Sequence, residues 1–290
     1  MGILKSRFKR ALKYIKSGVP EVTVKAEITN LLPNQLLIGR TALVTGGTSG
    51  IGKEIARAFL NAGANVIITG RNEERLEKAK AELQETAYSG FVKTIVLDNS
   101  DVASIPQKIK SIIGFLEGHT LDILVNNAGV GNGGSFRKGT EEEFDKIIDT
   151  NLKGTFFLSQ IVAKYMKENK VKGNILNISS SSGIRPAISA YMVSKWAIRG
   201  FTQGLAKLLI PYDIVVNGIA PGPTATPMLL NNNENLALFT SPSKRYATPE
   251  EIANMAVILV SNMSRMIVGD IVYMTGGAGT LTFDDIFYKF

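Results

Sequence analysis

The chain has 290 residues, 44% of them hydrophobic, which suffices for one large α/β domain or two small ones. No apolar run reaches the ~18 residues that a membrane-spanning helix needs. It has no cysteine and one histidine, His119, which sets aside disulfides, thiolate or multi-histidine metal sites and a serine–histidine–acid triad; no metal is expected. The formal charge of +8 is uneven: residues 1–40 carry eight Lys/Arg against Glu21 and Glu27, so the other 250 residues carry only +2. A nucleic-acid role for the body of the chain is therefore not supported.

In residues 3–17, Ile3, Leu4, Phe8, Ala11, Leu12 and Ile15 form one helical stripe opposite a basic face. Such a helix lies on an anionic membrane surface, docks on an acidic partner, or packs on its own domain or a sister subunit. It is not a secretory signal, because no apolar core follows the basic start. Residues 18–40, with Pro20 and Pro33, read as a linking arm, which divides the chain into an extension, 1–40, and a domain, 41–290.

Ala42-Leu43-Val44 reads as a buried strand and leads into the turn Gly46-Gly47-Thr48-Ser49-Gly50-Ile51-Gly52. Ile55, Ala56, Phe59 and Leu60 then recur at helical spacing. Strand, glycine turn and helix form the front of a βαβ unit that binds a dinucleotide. Glycine lets the backbone approach a phosphate, and the helix start offers free N–H groups and partial positive charge. A second strand, 65–69, ends at Gly70-Arg71-Asn72. The acidic residue that would bind the ribose of NAD is missing there, and Arg71 suits a 2′-phosphate. The spacing therefore points to NADP(H), unless Arg71 merely begins the next helix.

A charged helix over 73–86 and a strand over 91–97 follow, closing on Asp98-Asn99; then come a helix over 101–117 and a strand over 121–125 running into Asn126-Asn127-Ala128-Gly129. Thr140 and Glu143 form a capping-box pattern at the head of one long helix that contains Asn151, a residue of poor helix propensity. The strand 174–179 leads into Ser179-Ser180-Ser181-Ser182-Gly183, and Tyr191-Met192-Val193-Ser194-Lys195 opens a helix running to about Leu209. Tyr and Lys four apart share a helix face, so the ammonium should favour the phenolate and lower the tyrosine pKa from ~10 towards neutrality. Such a tyrosine can give a proton to a carbonyl oxygen. After a sixth strand, 214–219, comes Pro221-Gly222-Pro223-Thr224-Ala225-Thr226. Residues 228–247 read as a mobile lid or a polar loop. Thr248-Pro249 starts a helix, 269–274 forms a seventh strand, and Phe283–Phe290 is an apolar tail expected to pack on a neighbouring subunit or beside the substrate.

The Gly-x-x-x-Gly-x-Gly turn preceded by Thr45, Asn-Asn-Ala-Gly after the fourth strand, Asn151-Leu152-Lys153-Gly154 and Tyr-x-x-x-Lys together cover residues ~40–277. This pattern resembles the short-chain dehydrogenase/reductase family, in the branch of the 3-oxoacyl-carrier-protein reductases. The resemblance implies a single doubly wound Rossmann domain with a seven-stranded parallel sheet, cytoplasmic and assembled as a homodimer or homotetramer. It implies NADPH-dependent reduction of a ketone, a 3-oxoacyl thioester or other small carbonyl, with Tyr191 as general acid and Lys195 lowering its pKa and binding the nicotinamide ribose. Asn151 would hold a water in a proton relay. Ser180 would orient the carbonyl; the loop from Ser180 to Tyr191 is about two residues short of the pattern, so Ser179 and Ser181 stay open. Cofactor contacts are implied for Gly46, Thr48, Ser49, Gly50, Ile51, Gly52, Arg71, Asp98 (at the adenine amino group), Asn99, Asn127, Ala128, Gly129, Tyr191, Lys195, Pro221, Gly222, Thr224 and Thr226 (at the carboxamide). Thr224 stands where an aliphatic residue is usual. The rival reading is a catalytically silent NADP-binding sensor or scaffold, against which the presence of Asn151, Ser180, Tyr191 and Lys195 together argues.

Overall fold

The computed structural model describes residues 33–85, 90–131, 134–226 and 235–281. The amphipathic stretch 3–17, part of the expected lid and the tail 283–290 lie outside them. Seven strands form one parallel sheet: β1 (Thr41–Thr45), β2 (Asn65–Gly70), β3 (Val92–Val96), β4 (Ile123–Asn126), β5 (Asn174–Ile178), β6 (Val215–Pro221) and β7 (Ile271–Met274). Their order is β3-β2-β1-β4-β5-β6-β7, so the chain reverses direction across the sheet between β1 and β4. A doubly wound sheet binds its ligand at this switch point, beyond the strands' carboxyl ends.

Side-chain alternation splits the core in two. Ala42, Val44, Val66, Ile68, Val125 and Leu176 face the helices α1 (Gly50–Asn61), α2 (Glu73–Gln84) and α7 (Pro249–Val260). Leu43, Ile67, Leu124, Ile175 and Val216 face α3 (Ile105–Gly114), α5 (Gly154–Glu168) and α6 (Ala190–Leu209). Both faces are covered, which is why the central strands read as mostly apolar runs. The expected helix over 101–117 is shorter than its apolar pattern, because Asp98 and Asp101 turn the chain first.

The largest departure lies after Thr140. The capping box is present, but the single long helix is broken into α4 (Glu141–Ile148), a π-helical segment Asp149–Lys153, and α5. Asn151 lies in the π segment and spends its side chain outside the helix, on the Val130 backbone. Gly154 closes the segment, and a Cβ there would fall onto the Asn99 carbonyl oxygen. Of the expected lid, residues 235–247 form a loop folded on itself, with Leu238 N–H donating to the Lys244 carbonyl and Tyr246 N–H to that of Leu236.

Candidate active site

The carboxyl ends of β1, β2, β4, β5 and β6 surround a cleft of about 950 Å³. Its floor at β1 is backbone. Gly46 and Gly50 hold φ values of +65° and +53°, and a Cβ on Gly52 would fall onto the Gly46 carbonyl oxygen and Asn127 Nδ2. Ser49 precedes α1 and its side chain makes no capping bond to the first N–H groups of that helix. Thr45, absent from the expected site, is the joint between β1 and β4: its hydroxyl donates to the Val125 carbonyl and accepts from the N–H groups of Asn127 and Ala128. Asn127 Nδ2 donates back to the Thr45 and Gly46 carbonyls.

At the end of β2, a Cβ on Gly70 would stand 2.9 Å from the Thr48 methyl, so the strand leaves no room for an acidic side chain at that position. Arg71 precedes the helix rather than beginning it, since Asn72 is the cap that accepts from Arg75 N–H. Arg75, in the first turn of α2, also lines the cleft and was not singled out from the sequence. Asp98 feels burial, which raises its pKa, but two bonds from Ser100 to its Oδ1 and the charge of Arg71 hold it below the usual carboxylate range.

All eighteen residues expected to touch a cofactor line this one cleft, as does Ser180. Thr226 stands across from Gly50, 3.3 Å from a Cβ placed there. Thr224 lines the cleft and turns its hydroxyl back to the Gly222 carbonyl. Asn151 is the exception: it is 2% exposed and stands behind the wall.

The serines separate by their bonds. Ser179 is buried and donates to the Lys195 carbonyl at 3.1 Å, and Ser181 is buried. Both Ser179 and Ser180 border the cleft, and Ser180 is the one that hydrogen-bonds the Tyr191 phenol. Beneath them runs a buried chain of amides: Asn126 donates to Ser159 and to Asn177, and Asn177 donates to Thr202. This chain ties β4 and β5 to the helices α5 and α6.

The expected lowering of Tyr191 by Lys195 is corrected here. Burial pushes the phenol above its ordinary value, and the Ser180 bond only partly opposes it. The Lys195 ammonium donates to the Ile178 carbonyl at 2.9 Å and stands 5.6 Å from the ring centre. Lys195 is itself brought down from 10.5 to about 8 by burial.

A glycine turn at the switch point of a doubly wound sheet defines an α/β nucleotide-binding enzyme. Residues 40–237 match the family model described as short chain dehydrogenase. The chain belongs to the short-chain dehydrogenase/reductase family, whose members use a nicotinamide cofactor. It is 36% identical over 252 residues to a 3alpha-hydroxysteroid dehydrogenase of Mediterraneibacter gnavus, spanning 84% of this chain and 98% of that protein. It is 38% identical over 251 residues to a 3-oxoacyl-[acyl-carrier-protein] reductase of Chlamydia muridarum, spanning 84% of this chain and 99% of that one. The crystal structure of a 3-oxoacyl-[acyl-carrier protein] reductase from Brucella melitensis superposes with a TM-score of 0.76 at 31% identity, over 89% of this chain and all of that chain. Among the described residues no group of three His, Asp or Glu is placed to hold a metal, and no helix is long and apolar enough to cross a membrane.

Proposed function

We propose that the protein reduces a ketone with NADPH, Tyr191 acting as the proton donor. The observation that carries this reading is the meeting of Ser180, Tyr191 and Lys195 at one wall of the glycine-turn cleft. The cleft residues suit a dinucleotide, because its glycines leave no Cβ between the floor and a phosphate. Gly46, Gly50 and Gly52 with the head of α1 would hold the pyrophosphate, and Thr226 with the Pro221-Gly222 turn the carboxamide. Arg71, with Gly70 in place of a carboxylate, would take the 2′-phosphate, which favours NADP(H) over NAD(H).

Bound NADPH supplies the hydride for the carbonyl carbon. Ser180 holds the carbonyl oxygen, and the Tyr191 phenol gives that oxygen its proton. The phenol is the proton donor in reduction and, as phenolate, would be the base in the reverse oxidation. The resulting phenolate is stabilised by the Ser180 hydroxyl, and Lys195 would hold the nicotinamide ribose. Asn151 serves as a positioning residue, since its side chain is taken up by Val130 and Ser194. The first substrate class to test is a 3-oxoacyl thioester, by analogy with the relatives named above; small cyclic or steroid-like ketones come next. Exposed Phe144, Phe156, Val193 and Trp196 on α4, α5 and α6 favour a homodimer or homotetramer.

The test follows NADPH absorbance with a panel of 3-oxoacyl thioesters and ketones, with NADH alongside. Oxidation of NADPH by at least one ketone, with NADH much slower, is the expected result. Preference for NADH would overturn the assignment of Arg71. Silence with every carbonyl would favour a protein that binds the nucleotide without turnover.

A further inference from the structure

We propose that Ser194 is a positioning residue for the proton donor, coupling the turn that carries Tyr191 and Lys195 to the cleft wall at Val130 through Asn151. The inference rests on the reading of Tyr191 given above.

Ser194 is fully buried, three residues past Tyr191 on α6. Its hydroxyl has one proton, which it donates to the Tyr191 carbonyl at 2.7 Å. A lone pair is left to accept from Asn151 Nδ2 at 3.2 Å. The other bonds of Asn151 go to one residue on the cleft: Oδ1 accepts from Val130 N–H at 2.8 Å, and Nδ2 donates to the Val130 carbonyl at 2.9 Å. The π segment thereby reaches the loop after β4 on one side and the catalytic helix on the other. On its β5 side the same helical turn is held by Ser179, whose hydroxyl donates to the Lys195 carbonyl. The Tyr191–Lys195 turn is thus pinned from two directions by buried hydroxyls, and Ser194 is the pin on the π-segment side.

Helix formation does not explain this serine. Alanine is the better helix former, and a serine in a helix interior that bonds back to a preceding carbonyl adds nothing to helix stability. The second bond, from Asn151, is what alanine would lose. With it would go the constraint that keeps the Tyr191 phenol on Ser180, and small displacements of a reacting group have large effects on rate.

The experiment needs no substrate in its first part. Tyrosines are labelled with 13C at Cζ, and the Tyr191 resonance is identified by its loss in Tyr191→Phe. Because the Ser180 bond lowers the phenol pKa, loosening that bond should move the Tyr191 titration to higher pH in Ser194→Ala than in the wild type. The second part measures turnover: kcat should fall about tenfold, as expected for one lost positioning bond, while the Kd for NADPH holds. Asn151→Ala combined with Ser194→Ala should cost no more than Asn151→Ala alone. Ser194→Cys, close in volume but a weaker bonding partner, should fall between wild type and alanine, and carries the test if the alanine variant does not fold. An unmoved Tyr191 titration in a folded variant, or losses that multiply in the double variant, would overturn the proposal. If the wild type reduces no ketone, the catalytic reading fails, while the titration still decides whether Ser194 positions Tyr191.

Discussion

The two halves of the cleft are built by different means. The half at β1 and β2 is made of backbone: glycines at positive φ, uncapped N–H groups and a strand end with no room for an acid. The half at β4, β5 and β6 is made of side chains whose buried bonds join residues far apart in sequence, such as Asn126 with Asn177 and Asn151 with Ser194. A surface that receives phosphates needs close approach and little else. A wall that transfers a proton needs a few atoms held within narrow limits, and buried hydroxyls and amides hold them.

The contrast can be broken or sharpened by substitution. The largest effect is expected in the half that carries Tyr191. Tyr191→Phe should lower kcat for ketone reduction about 10²- to 10⁴-fold with little change in NADPH affinity, read by steady-state kinetics and fluorescence titration. Next comes the buried ammonium. Lys195 has a folded-state pKa of about 8 against an ordinary 10.5, so the unfolded chain holds the extra proton between those values. The burial penalty is complete below pH 8 and disappears as pH rises towards 10.5. Wild-type stability should therefore climb across this interval relative to Lys195→Met, by up to about 3 kcal/mol, read by urea unfolding at a series of pH values.

The nucleotide half should respond in specificity. Arg71→Ala should raise the Kd for NADPH about 10- to 100-fold and leave that for NADH nearly unchanged, since only the charge-assisted bonds to the extra phosphate are lost. The smallest effect lies outside both halves. Glu251 closes the capping box of α7 and pairs with Arg245 through both carboxylate oxygens, which holds its pKa down at about 2. The pair is largely exposed, so Arg245→Ala should lower the thermal unfolding temperature only slightly.

Legibility in the sequence follows the same division. The central strands were readable as short, mostly apolar runs because both faces of the sheet are covered, while the edge strand β3 carries Lys93 and Thr94 and is only partly buried. The place of the glycine turn and of Arg71 at the cleft was readable because each directly follows a strand in the chain. The break at Asn151 was readable only as an anomaly, a poor helix former in a helix, because its cause is Val130, 21 residues away. Spacing selected Ser180 but left Ser179 and Ser181 open; their bonds separate only in the structure, where Ser179 donates to the Lys195 carbonyl and Ser180 meets the Tyr191 phenol. Thr45 was legible only as part of a pattern, because its three partners lie on β4 and the loop after it. The direction of the Tyr191 shift was misread because Tyr-x-x-x-Lys fixes a shared helix face but not where the ammonium is spent.

The most direct measurement compares wild type and Tyr191→Phe for NADPH oxidation by the fastest ketone of the panel, with NADPH binding measured on both. Loss of turnover in the variant with binding retained is the result this account expects. Comparable turnover in the two proteins would contradict it, because the proton would then come from some group other than Tyr191.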